Sequence, residues 1–356
     1  MSIQGAQIVV PCWQFDATFA TLTEQLGFRI DSIFPADAPT TAVVYGFGVT
    51  LRLEARSDGH TGTRVALLLV TDRPPLMAHV PDLTIEWLQS GAPIEIPEGK
   101  QEFVITRMCD ADSWRTGRAG MQYRDLIPGR FGGRFVASHI RIPTGGPVPD
   151  YVHFHRVRFQ MIFCQAGWVR VLYEDQGEPF VMHAGDCVLQ PPGIRHRVLD
   201  ASAGLEVIEL GCPAIHETVA DHLLSLPTAT VSPRREFSGQ RFVRHIAADA
   251  RWEPWRWLGT TTIGFEARDC GIGLATAAFA SAHVVRTQAS AATPPASHRG
   301  ELLFLFVLSG VLQLSGASLG DHTLMAGDCV TIPTGSEISL RAATEVEFLE
   351  VALPAE

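Results

Sequence analysis

The chain has 356 residues, a length that suggests about two or three domains. Its 28 basic and 38 acidic side chains leave a formal charge of −10 without a basic run, which argues against a nucleic-acid partner. Hydrophobic residues at 46% and charged residues at 19% describe a well-buried globular protein, not a long disordered one.

From the N-terminus, MSIQGAQIVV has no basic stretch leading into an apolar core, so no signal peptide is expected. Ile8–Pro11 reads as a strand. Asp16 to Leu26 reads as a helix with Phe19, Leu22 and Leu26 on one face and Gly27 as its stop. Arg29–Phe34, Thr41–Tyr45 and Val49–Leu53 follow as strands, a β-α-β-β-β order. This first α+β domain is expected to span residues 1–110, with its boundary near Arg107. Lys100, the only lysine and thus the only Schiff-base candidate, lies in a Pro/Glu/Gly-rich stretch and is discounted.

The rest of the chain repeats itself. Ala184-Gly185-Asp186-Cys187-Val188 returns 142 residues later as Ala326-Gly327-Asp328-Cys329-Val330. Pro191 and Gly193 match Pro333 and Gly335 at the same offset, and His155 and Gly167 match His298 and Gly310 at 143. Two copies of one unit are expected, at residues 113–228 and 234–356, with Pro227 to Arg235 as linker. Phe135–Ile142, Val157–Phe163, Trp168–Tyr173, Val188–Gln190 and Leu205–Leu210 are short, β-branched or aromatic, and punctuated by Gly/Pro turns. That pattern predicts a sandwich or barrel. The longest apolar run, Leu302–Leu308, is far too short to cross a bilayer. The seven cysteines are odd in number and lack a CxxC spacing, so they read as free thiols of a cytoplasmic protein.

His153 and His155, two apart on a strand, project to one face. Gln160 follows five residues after His155, and the turn Pro191-Pro-Gly193 brings His196 back toward the same place. Neutral imidazole is the commonest biological ligand of zinc, iron, copper and nickel. Three imidazoles and one side-chain oxygen leave two positions open on an octahedral ion, as metal catalysis requires. Tyr151 shares strand parity with the histidines and is the candidate catalytic hydrogen-bond donor, with core packing as the plainer reading.

The spacings H-x-H-x4-(E/Q)-x6-G and G-x5-P-x-G-x2-H resemble the two motifs of the cupin superfamily, and the duplication resembles the bicupins. The resemblance covers roughly residues 113–356 and implies tandem jelly-roll barrels. It implies metal ligands at His153, His155, Gln160 and His196, where most such sites have a carboxylate in place of Gln160. An amide is neutral, so the ion and its ligands would carry +2 instead of +1, which favours an anionic, oxygen-chelating substrate. In the second copy the ligand positions fall on Ala296, His298, Leu303 and Ile338, a degenerate site. Glu301 lies off the aligned position. Leu26-Gly-Phe-Arg29 and Tyr45 to Glu54 are similar to a glyoxalase-like (vicinal oxygen chelate) module; Glu54 has no convincing histidine partner, so a structural role is expected there.

The resulting expectation is a mainly β, cytoplasmic protein: a glyoxalase-like α+β domain followed by tandem cupin jelly-roll barrels, with one divalent ion per chain in the first barrel. Fe(II) is favoured over Mn, Ni or Zn. The leading activity is a non-haem Fe(II) dioxygenase on a small oxygenated acid, diketone or diol. Its rivals are a non-redox metal-dependent lyase or isomerase and a sensor without turnover. The partner is a small molecule, not nucleic acid or membrane, and self-association is left open. The run Trp252 to Trp257 reads as packing before it reads as a ligand site.

Overall fold

A computed structural model describes residues 5–35, 38–57, 65–71, 79–89, 93–110, 114–117 and 120–354. The chain divides into two compact units, Met1–Pro93 and Ile94–Glu356. Among the described residues, no helix is long and apolar enough to cross a membrane.

The first unit begins with the expected β-α-β-β-β order. Ile8–Cys12 pairs in parallel with Val49–Ala55, and Thr41–Gly46 and Arg29–Phe34 complete a four-stranded sheet. Alternation buries Val10 and Cys12, Ala42 and Val44, and Leu51 and Leu53 on one face. The predicted helix is split: Phe15–Ala20 is α-helical and Thr21–Gln25 a wider turn. Asp82 caps its start, accepting hydrogen bonds from the backbone of Trp13 and Gln14 and from the Thr18 hydroxyl at 2.7–3.1 Å. Gly27 ends it in the left-handed conformation, φ 77°. Val65–Thr71 and Leu83–Gln89 then pair in parallel.

The second unit is a pair of antiparallel β barrels, and its limits correct the expected boundary. Residues 94–110 belong to it, because Val104–Thr106 pairs with Cys329–Thr331 of the last barrel. In the first barrel, Phe159–Ala166, Leu205–Cys212 and Val136–Ile142 form the centre of one sheet. Trp168–Tyr173, His196–Ala201 and His153–His155 form the centre of the other. The second barrel repeats the plan around Leu302–Gly316, Ser281–Thr287 and Val346–Leu353.

Each barrel also takes an edge strand from chain that precedes the other. Val243–His245 lies against Cys187–Leu189 of the first barrel, as Val104–Thr106 lies against Cys329–Thr331 of the second. The repeated Ala-Gly-Asp explains how. Asp186 accepts hydrogen bonds from the backbone of His183 and Ala247, both 2.8 Å; Asp328 accepts those of Met325 and Met108 at 2.9 and 2.8 Å. The preceding glycines, at φ 93° and 85°, make the tight turn, and a side chain on either would run into Ala247 or Met108. Between the barrels, Phe159, Met161 and Phe163 join Ile272, Phe304 and Phe306 in one shared core.

Candidate metal centre

The metal-ligand candidates are set by backbone pairing. His153 and His155 share the short strand His153–His155, and His153 sits opposite His196 in the next strand. Gly193, at φ 77°, donates its N–H to the His155 carbonyl at 3.2 Å and so closes the turn that returns His196. The candidate ligand nitrogens of the three imidazoles lie within 4.8 Å of one another. Bonds of ~2.1 Å hold two imidazole nitrogens on one ion within ~4.2 Å, so the cluster is at or near closing distance.

Neighbouring acceptors fix which nitrogen faces inward. The Nδ1 atoms of His153 and His196 lie 2.8 and 3.1 Å from the carbonyls of Tyr151 and Ile194, which can only accept. Nδ1 therefore carries the proton in both, and the lone pair resides on Nε2. His155 Nδ1 is 3.0 Å from the Thr218 hydroxyl. Tyr173 stacks 5.5 Å from His196 and buttresses it.

Gln160 lines the same cavity. Its Nε2 donates to Glu209 Oε1 at 2.5 Å. A carboxylate accepts only, so this bond turns the amide nitrogen toward Glu209 and its oxygen away. Glu209 therefore brings to the site the negative charge that an amide at position 160 lacks. Gln190 is 1% exposed, with its Nε2 3.0 Å from His196 Nε2 and its Oε1 buried without a hydrogen-bond partner among the described residues. His216, whose Nδ1 is 2.9 Å from the Pro213 carbonyl, adds a fourth ring 5.3 Å from His155. Neutral nitrogens, one carboxylate and two amide oxygens, of which the buried Gln190 Oε1 is the unpartnered one, together suit a divalent cation.

These groups border a cavity of about 460 Å³ whose remaining walls include Ile140, Ile162, Val171, Met182, Val198 and Val207. Tyr151, expected by parity to point inward, is not part of its lining. The strand starts only at His153, so the parity does not extend back; the ring is 42% exposed and lies 5.7 Å from that of His153. The Tyr151 carbonyl lies 2.8 Å from His153 Nδ1, and the Tyr151 ring meets those of His153 and His222. Glu209, Gln190 and His216 escaped the sequence reading. Glu209 had a signal: a lone carboxylate in phase with the inward Leu205 and Val207 of one strand.

The second barrel has the same backbone here. Ala296 and Ile338 exchange two backbone hydrogen bonds of 2.9 Å where His153 faces His196. Leu303 and Ile332 take the places of Gln160 and Gln190. The Nε2 of His298 donates to the Ile332 carbonyl at 2.7 Å. Trp255, Trp257, Phe265 and Phe348 fill the interior, leaving about 50 Å³ beside His283, His298 and Glu350. Glu301 turns from this interior to the first barrel, where Arg134 and Arg158 bind it at 2.5–3.1 Å.

Residues 138–209 match the family model of the cupin domain. All four expected ligands, and Glu209, fall inside that cupin stretch. Oxalate decarboxylase from Lactobacillus farciminis, solved with formate, is 16% identical at a TM-score of 0.52, over 71% of this chain and 86% of that one. A variant of Bacillus subtilis oxalate decarboxylase is 14% identical at 0.51, over 73% and 80%. A variant of salicylate 1,2-dioxygenase from Pseudoaminobacter salicylatoxidans is 16% identical at 0.50, over 73% and 86%. At such identities the likeness is one of fold: mainly β, with cupin jelly-roll barrels. No curated protein matches the chain.

Proposed function

We propose that this chain is a metal-dependent cupin enzyme: a non-haem Fe(II) dioxygenase whose small oxygenated substrate chelates the ion in the first barrel. The observation that carries the reading is the convergence of His153, His155 and His196 at a cavity that also holds Gln160. A divalent ion bound there would act as a Lewis acid, and iron would add redox chemistry with O2.

The chain's own residues have definable parts. The three imidazoles and the Gln160 oxygen would hold a cation there, and the cavity beside them would admit a small substrate. Glu209 orients Gln160 and lowers the net charge of the site. The aliphatic walls exclude water, which strengthens every electrostatic contact inside. The position of His216 beside His155 suits a hydrogen bond to bound substrate. Salicylate dioxygenase among the structural neighbours is consistent with this reading.

A non-redox lyase or isomerase is the second reading. It is favoured by Glu209, a carboxylate on the cavity wall, and by the oxalate decarboxylases among the neighbours. Anaerobic purification, metal analysis and oxygen-uptake screening separate the two. Bound iron with substrate-dependent O2 consumption supports oxygenation; undiminished turnover without O2 overturns it in favour of the lyase. The N-terminal unit we read as a glyoxalase-like module with a structural role. Its β-α-β-β-β order supports this, and Glu54 is engaged by Arg52 and Arg56 at 3.0 and 3.1 Å.

A further inference from the structure

We propose that the cavity of the first barrel selects a single-headed substrate: a monoanion with two adjacent oxygens at one end and an uncharged, apolar body. The inference rests on the metal-centre reading and names the substrate class for it.

Most of the polar lining is gathered around the imidazoles, with Tyr123 and Ser138 the other polar side chains on the walls. Thr218 and His216 touch His155, Gln190 touches His196, and Gln160 is joined to Glu209. Ile140, Ile162, Val171, Met182, Val198 and Val207 supply walls of a different kind. A space of about 460 Å³ is large beside the ~30 Å³ of a water molecule. A two-carbon diacid would leave most of it unfilled, and those walls would gain nothing from the ligand.

The walls also decide what the far end of the substrate can be. Each buried methylene strengthens binding by about fourfold. A second carboxylate would lose its hydration against aliphatic side chains. Beyond Tyr123 and Ser138, the hydroxyls of a sugar acid would face Ile, Val and Met, which offer no hydrogen bond. A short alkyl or aromatic body has neither cost.

The test uses the full chain loaded with Zn(II) and calorimetric titration of 2-oxo acids that share one chelating head. The series is 2-oxobutanoate, 2-oxopentanoate and 2-oxohexanoate, with 2-oxoglutarate as the counterpart of 2-oxopentanoate that carries a carboxylate for its terminal methyl. Affinity should rise by up to about fourfold per methylene. We expect 2-oxopentanoate to bind at least about tenfold more tightly than 2-oxoglutarate. His196→Ala should abolish both. A flat alkyl series, 2-oxoglutarate binding as tightly, or selective binding that survives His196→Ala overturns the inference while the metal centre stands. Failure to take up metal overturns the metal-centre reading and this inference together. Selective binding without any O2 consumption by the iron-loaded protein upholds the inference and overturns only the dioxygenase.

Discussion

His153 faces His196 in the first barrel, and Ala296 faces Ile338 through the same backbone pairing in the second. The turn glycines Gly193 and Gly335 both donate to the carbonyl of the aligned histidine, at 3.2 and 3.0 Å. What differs is the side chains: a polar cluster beside an open cavity in one copy, and Leu303, Ile332 and Ile338 in an apolar packed core in the other. The scaffold is thus indifferent to whether it carries a site. Interior space and ligands go together, because polar side chains without an ion or water to satisfy them are costly to bury.

The sharpest way to break this comparison is to remove one histidine from each copy. His196→Ala should weaken retention of a divalent ion more than about 100-fold, whereas His298→Ala should leave metal content unchanged, as measured by elemental analysis after dialysis. Equal losses would refute the assignment of roles to the barrels. Packing should show the opposite asymmetry. Trp257, fully buried in the second barrel, should cost about 3–5 kcal/mol on replacement by alanine, measured by chemical denaturation. Val207→Ala, on a wall that already borders open space, should cost at most about 1.5 kcal/mol. Glu209→Ala should lower metal affinity by about 10–100-fold in chelator competition, since it releases the Gln160 amide and removes a charge.

A pH-dependent effect is expected at the clamp between the barrels. Burial pushes the Glu301 carboxyl up, but its hydrogen bonds to Arg158 and Arg134 outweigh this and hold it below the usual carboxylate range. A value lower in the folded state means the stabilisation is complete above the unfolded pKa of ~4.3 and fades as pH falls through the folded value. Glu301→Gln should therefore cost about 1.5–3 kcal/mol at pH 7, and the gap between variant and parent melting curves should close in acid.

Much of this contrast could be read from residue spacing. The repeat offsets lead from His153 and His196 to Ala296 and Ile338, the residues that occupy the equivalent bridge. Local pattern could also assign the strand order before Arg56, because alternation and the Gly27 stop are properties of a few neighbouring residues. It could not place Glu209 against Gln160, because their contact spans 49 positions and depends on strand pairing. Strand parity does not fix Tyr151, because the strand begins only at His153. The boundary near residue 110 was misplaced because Val104–Thr106 is only three residues long and its partner lies more than two hundred residues away.

The exchanged edge strands bear on how this protein can be taken apart. A fragment cut at the linker around Pro227 to Arg235 would keep the first barrel's body but lose Val243–His245, leaving the rim of Cys187–Leu189 bare. The other half would likewise forfeit Val104–Thr106. A protease nick at that linker should thus yield two polypeptides that stay clasped, and neither half expressed alone should be a faithful miniature of the whole.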